Sequence, residues 1–171
     1  MQVTIREETP EDVIAIRQVN EEAFRQPQEA RLIDLLRAHG TVLLSLVAAV
    51  DDRVVGHILY SPVRLGSGAR EVQGAGLGPI AMLPEFQRKG LGSKLIGEGT
   101  RRLRESGCPF IVVLGHPEYY PRFGFVAASR HGVRCQWKVR DEAFMLLPLD
   151  ASRLSAMSGL ARYCDEFDTV R

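Results

Sequence analysis

Only three cysteines, Cys108, Cys135 and Cys164, occur in the 171 residues, and no CxxC pair or Cys/His spacing joins them. That scatter excludes a disulfide framework and a structural zinc, and it suits a reducing compartment. Charge of one sign is lacking too: 22 Lys+Arg against 21 Asp+Glu leave a formal +1. With no basic field to draw nucleic acid, any anion has to be held by a local site. No apolar run approaches the length that crosses a bilayer, and the N-terminus MQVTIREETPEDV has no apolar signal core. The expectation is a soluble, cytoplasmic protein with neither a membrane nor a nucleic-acid partner.

Two nucleotide motifs are missing as well. No G-x-x-x-x-G-K-[ST] string is present, which argues against a nucleoside-triphosphate hydrolase. A G-x-G-x-x-G fingerprint beginning at Gly90 would put Leu95 at its third glycine, and one beginning at Gly74 would put Pro79 there. Neither meets the dinucleotide requirement.

What is present reads as one domain over residues 1–171, with a core of about 3–149 and a C-terminal extension of 150–171. Val3 and Ile5 alternate in a short first strand. Thr9-Pro10-Glu11-Asp12 then offers a cap, a proline and first-turn acids to an amphipathic helix through Phe24. A second helix, about Pro27 to His39, closes at Gly40. Thr41 to Val63 reads as a hairpin about Asp51-Asp52, and Glu71 to Leu83 as a strand unusual for Gly74, Gly76 and Gly78. A helix follows to Ser106, in which Gly97 and Gly99 point to tight packing in preference to ligand contact. Phe110 to Leu114 is apolar throughout, as in a central strand buried on both faces. Val133 to Val139 and Ala143 to Leu149 read as a final strand pair, Leu154 to Cys164 as a short helix, and Asp165 to Asp168 as a frayed tail. The order βααβββαβαββ implies an α/β (α+β) fold, one mixed, mostly antiparallel sheet with helices on both faces.

The chemistry centres on Leu77 to Ser106, where an apolar strand passes through Gln87-Arg88-Lys89-Gly90-Leu91-Gly92 into a helix. The first N–H groups of a helix lack intrahelical acceptors and sit at the positive end of its dipole, so such a loop is an anion cradle. This context resembles the GNAT superfamily of acetyl-CoA-dependent acyltransferases. Gln87 to Gly92 fits that family's [QR]-x-x-G-x-[GA] loop, and Tyr120-Pro121-Arg122-Phe123-Gly124-Phe125 fits its second signature, a tyrosine four residues before a Gly-Phe pair. The strings LGPIAMLPEFQRKGLG and LGHPEYYPRFGF resemble those of uncharacterised bacterial predicted N-acetyltransferases.

The resemblance implies an N-acetyltransferase that moves an acetyl group from acetyl-CoA, without a metal, to a primary amine by direct attack in a ternary complex. Its implied cofactor residues are Ala81, Met82, Leu83, Gln87, Arg88, Lys89, Gly90, Leu91, Gly92, Ser93 and Tyr120. The main-chain N–H groups of Arg88 to Ser93 would hold the pyrophosphate, and the Met82 N–H the thioester carbonyl. Tyr120 is implied as general acid toward the thiolate, while the neighbouring Tyr119 reads as a half-buried tyrosine covering the core.

Leu77 to Leu83 contains no carboxylate to serve as base, so water, His116, His57 and Glu118 stay open, with His116 the best placed. Asn20, Glu21, Phe24 and Arg25 would line the acceptor side. Arg101, Arg102 and Arg104 read as a solvated face, and neither Cys108 nor Cys135 has a sequence-adjacent activating group. The acceptor is a small-molecule amine or a protein or peptide amine, and the protein a monomer or homodimer. A non-catalytic acyl-CoA sensor is the alternative.

Overall fold

The computed structural model describes residues 2–170. The chain divides into two compact units, Met1–Tyr60 with Gly78–Gly99 and Asp165–Arg171, and Ser61–Leu77 with Thr100–Cys164. Strands β3 (Arg53–Leu65) and β4 (Val72–Met82) and helix α3 (Leu91–Glu105) each run through both.

In the first unit β1 (Val3–Glu7), β2 (Leu44–Val50) and the start of β3 form an antiparallel ladder, Val3 opposite Val50 and Leu44 opposite Tyr60. The β2–β3 turn is Asp51-Asp52, both at positive φ (48° and 69°), the conformation that matches a two-residue turn to the twist of its strands. Between β1 and β2 lie α1 (Val13–Phe24) and α2 (Gln28–Ala38). A short 3-10 turn, Pro10–Asp12, precedes α1. The Asp12 carboxylate there accepts the Thr9 N–H at 2.7 Å and a two-pronged contact from Arg6 at 2.7 and 3.0 Å. Those Arg6 bonds above all hold its carboxyl down to about 2.

Ile16 and Val19 of α1 and Ala30, Leu32, Ile33 and Leu36 of α2 are buried, as are Leu91, Leu95 and Ile96 of α3. His57 meets α1 at Asn20, whereas Tyr60 meets α3 at Gly99. Positions three apart on a strand point to opposite faces, so helices cover both. The acidic tail is no frayed end. Asp165–Val170 is a 3-10 turn on which Glu166 accepts the Thr41 hydroxyl at 2.9 Å and lies 3.4 Å from His39 Nδ1.

In the second unit β5 (Phe110–Leu114) pairs in parallel with β4, Ala75 opposite Ile111 through Leu77 opposite Val113, and antiparallel with β8 (Phe144–Pro148). Strand β6, only Val126–Ala127, pairs with the other edge of β8. The expected final strand pair does not form. β7 (Val133–Cys135) stops short and runs parallel to β9 (Gly159–Arg162), which also pairs antiparallel with the end of β3. Past Cys135 the side chains bond elsewhere: the Gln136 amide oxygen accepts the Tyr163 N–H, and Trp137 lies 5.1 Å from the Tyr163 ring. The segment read as a short helix holds instead a 3-10 turn, Ala151–Ala156, and then β9.

The strand glycines make room for side chains. A Cβ on Gly74 would stand 2.5 Å from Phe110, and one on Gly76 2.7 Å from Tyr163 and 2.8 Å from Val63. On α3 a Cβ at Gly99 would stand 2.6 Å from Tyr60 Cε2, while one at Gly97 would meet nothing within 4 Å. Gly99 thus bears out tight packing and Gly97 does not. Gly99→Ala should therefore destabilise the protein by ~1–3 kcal/mol through overpacking against the fully buried Tyr60 ring. Gly97→Ala should stabilise it by up to about 1 kcal/mol through helix propensity. Urea denaturation of both variants beside the parent reads the two signs.

Candidate active site

Where β4 ends, the Leu83 N–H donates to the Val55 carbonyl at 2.8 Å. Peptide groups alternate along a strand, so those of Met82 face the edge away from β3. The Met82 carbonyl accepts the Gln87 side-chain N–H at 3.1 Å. The Met82 side chain fills the place where Gly56 has no Cβ. Pro84–Phe86 makes one 3-10 turn, and Arg88 (φ 61°) and Gly90 (φ 81°) swing the chain into α3. A left-handed non-glycine residue such as Arg88 costs of order 1 kcal/mol.

The Lys94 N–H donates to the Gly90 carbonyl at 3.2 Å. The N–H groups of Leu91, Gly92 and Ser93 therefore belong to the helix's first, intrahelically unpaired turn. A Cβ at Gly90 would meet nothing within 4 Å, so the chain is uncrowded at that residue. Phe86 carries two cations on its ring, Lys89 at 5.7 Å and Arg53 at 5.8 Å from the centroid, and Arg53 also lies 3.4 Å from Glu85. Arg53 escaped the sequence reading because only the hairpin's fold carries it to Phe86. Arg101, expected to be solvated, pairs with Glu105 at 2.8 Å on the exposed face of α3.

The second unit holds Tyr120, in the 3-10 turn Tyr120–Phe123. Its ring sits on Gly115, where a Cβ would stand 2.5 Å from Cε2, and packs edge-on to Tyr119 (5.1 Å) and Phe125 (5.8 Å). The His116 carbonyl accepts the N–H groups of Tyr119 (3.1 Å) and Tyr120 (3.4 Å), which folds the turn back onto the end of β5. Burial, and then the neighbouring Tyr119, push the Tyr120 hydroxyl up to about 12. It stays a neutral proton donor. The side chains of His116 and Glu118 are exposed.

His57 belongs to a different arrangement. It is wholly buried, with Nε2 2.8 Å from Ser45 Oγ and Nδ1 3.3 Å from the Asn20 amide nitrogen. That amide also donates to the Ile16 carbonyl at 3.0 Å, which can only accept, so nitrogen is the atom facing both. Nδ1 then accepts and Nε2 carries the proton toward Ser45. The Ser45 hydroxyl donates in turn to Glu8, whose carboxylate is gripped by Arg37 at 2.9 and 3.0 Å. Burial takes His57 down to about 3, which removes it as a base.

Glu8, Arg37 and Ser45 border an open cleft of about 430 Å³. Ser45 pairs with Leu59, four residues along β3 from the Val55 that meets Leu83, so this cleft is not the phosphate loop's. Of the residues read as acceptor-facing, Asn20 is interior, Glu21 pairs with Arg17 at 3.2 Å, Phe24 is half-buried and Arg25 exposed. The Cys108 thiol is half-buried, bonded to the Phe110 carbonyl and raised by burial.

A mixed sheet, a strand delivering a glycine loop to a helix N-terminus, and a buried tyrosine after the next strand define an acyltransferase-type fold. The pattern of the Acetyltransferase (GNAT) family matches residues 7–125, and the chain belongs to that family. It is 34% identical over 165 residues, 96% of this chain and 98% of the other, to the uncharacterised N-acetyltransferase YhbS of Escherichia coli. The crystal structure of YhbS in complex with CoA superposes with a TM-score of 0.93, covering 98% and 93% of the two chains at 33% identity. A GNAT family acetyltransferase from Brucella melitensis in complex with acetyl-CoA does so at 0.81, covering 98% and 99% at 38% identity.

Because the folded His57 value lies below its ordinary 6.5, the unfolded chain takes up the extra proton. This contribution to stability is whole above about pH 6.5 and shrinks as pH falls, by up to about 1.4 kcal/mol per unit. Glu8, held low, adds a further loss only below its ordinary 4.5. Denaturation between pH 7 and 5 should show that slope in the parent and a flatter one in His57→Gln, whatever the variant's absolute stability.

Proposed function

We propose that this protein transfers an acetyl group from acetyl-CoA to a primary amine by direct attack within a ternary complex. The observation that carries this reading is the joint of β4, loop and α3. First-turn N–H groups without intrahelical acceptors follow an uncrowded Gly90, and the Met82 N–H points away from β3. The N–H groups of Arg88 to Ser93 bind the pyrophosphate, with Gly90 and Gly92 permitting close approach and Arg88 and Lys89 adding charge. Ala81, Met82 and Leu83 bind the pantetheine arm. The Met82 N–H stabilises the oxyanion by ~3 kcal/mol, the size of a single such donor.

Tyr120 donates to the departing thiolate. With its hydroxyl at about 12 and a thiol near 8.5, complete proton transfer is uphill by ~5 kcal/mol. Its contribution is a strong hydrogen bond to developing charge in preference to a free proton. His116, exposed beyond β5, or a water molecule takes the proton from the amine. The acceptor is a small-molecule or polypeptide amine.

The lack of a carboxylate in Leu77 to Leu83 favours a second reading, an acyl-CoA-binding module without turnover. Release of free thiol in the presence of an amine from a screened panel separates the two. Acetyl-CoA at a hundredfold excess over Kd should stabilise the chain by about 2.7 kcal/mol, and NAD or ATP should not. Preference for NAD would overturn the assignment. Tyr120→Phe should lower kcat on the order of 10²-fold with little change in coenzyme A affinity, and parental turnover would remove its role.

A further inference from the structure

We propose that Gln87 is a positioning residue whose side chain ties the thioester-binding end of β4 to the phosphate loop, and that it contacts no part of the cofactor. The inference rests on the acyl-CoA reading above. Met82 offers a carbonyl, which only accepts, so the Gln87 group facing it at 3.1 Å is the amide N–H, whichever way such amides are usually assigned. The peptide joining Met82 and Leu83 is thereby held at both ends, its carbonyl by Gln87 and its N–H by the Val55 carbonyl at 2.8 Å.

Within this closed segment the Phe86 N–H donates to the Leu83 carbonyl at 2.8 Å and the Gln87 N–H to the Pro84 carbonyl at 3.3 Å. The left-handed Arg88 comes directly after it, so Gln87 stands at the joint. Residues before it would meet the thioester, and residues after it the pyrophosphate. One ligand spans both, and a fixed separation makes the second contact effectively intramolecular. The Gln87 bond also occupies the Met82 carbonyl, leaving the Met82 N–H as that residue's group for the ligand.

The test compares Gln87→Met, which keeps the length without the donor, with Gln87→Arg, which restores an N–H and is the other residue the loop motif allows. Titration calorimetry would follow acetyl-CoA, S-acetylpantetheine and 3′-phospho-ADP, while hydrogen exchange follows residues 83–87 in the free protein. Loss of one hydrogen bond predicts acetyl-CoA binding weaker by about 3- to 10-fold in Gln87→Met. Each fragment should change by less than about twofold, exchange over 83–87 should be faster at an unchanged denaturation midpoint, and Gln87→Arg should restore both exchange and acetyl-CoA binding.

If one fragment alone weakened as much as acetyl-CoA, Gln87 would be a direct ligand and the proposal would fall. Unchanged exchange in Gln87→Met would overturn it as well. A parent protein that bound no acetyl-CoA would instead remove the acyl-CoA reading, and the exchange measurement would still decide whether the tie exists.

Discussion

A large side chain seated where a glycine lacks a Cβ is the contact on which the packing of this chain depends. Phe110 occupies that place at Gly74, Tyr163 at Gly76, Tyr60 at Gly99, Tyr120 at Gly115 and Met82 at Gly56. Interiors are packed to crystal density, so each of these glycines is a volume already filled, and a methyl there would displace a ring or, at Gly56, the Met82 thioether. Phe110 and Tyr60 are fully buried and have nowhere to swing. The same device operates at Gly115, where the ring it admits is Tyr120, the proposed general acid. The burial that seats the ring also raises its hydroxyl and keeps it a donor.

The other constraint in the first unit is polar. Asn20, His57 and Ser45 pass hydrogen bonds from α1 through β3 and β2 to the Glu8 carboxylate, which accepts from Ser45 on one side and from Arg37 of α2 on the other. A buried polar chain of this kind is favourable only when its members are satisfied. Breaking a partner leaves a buried charge or donor, which costs more than the pair ever contributed. The neutral, inward-facing His57 is therefore a structural member.

The joint between β4 and α3 combines both themes. Leu83 is held by β3, Met82 by Gln87, and Arg88 turns left-handed immediately afterwards. Strain at Arg88 is tolerated because the bonds on either side over-determine the backbone. Helix-end electrostatics and strand-edge hydrogen bonding are thus presented a few residues apart, which suits a ligand with a phosphate at one end and a thioester at the other.

The sequence by itself determined the parts whose cause is local. Apolar patterning marked α1, α2, α3 and β5; turn chemistry marked Asp51-Asp52; and the glycine loop and Tyr120 were legible as motifs. The tertiary structure alone decided what depends on partners distant along the chain. Val133–Cys135 pairs with a strand that begins at Gly159, the acidic tail docks on α2, Arg53 shares Phe86 with Lys89, and Asn20 turns inward to His57. A residue's own pattern says which face is apolar, but not which remote group will satisfy its hydrogen bonds. For that reason the loop at Gln87 to Gly92 could be read from the sequence, while the bond that holds it to Met82 could not.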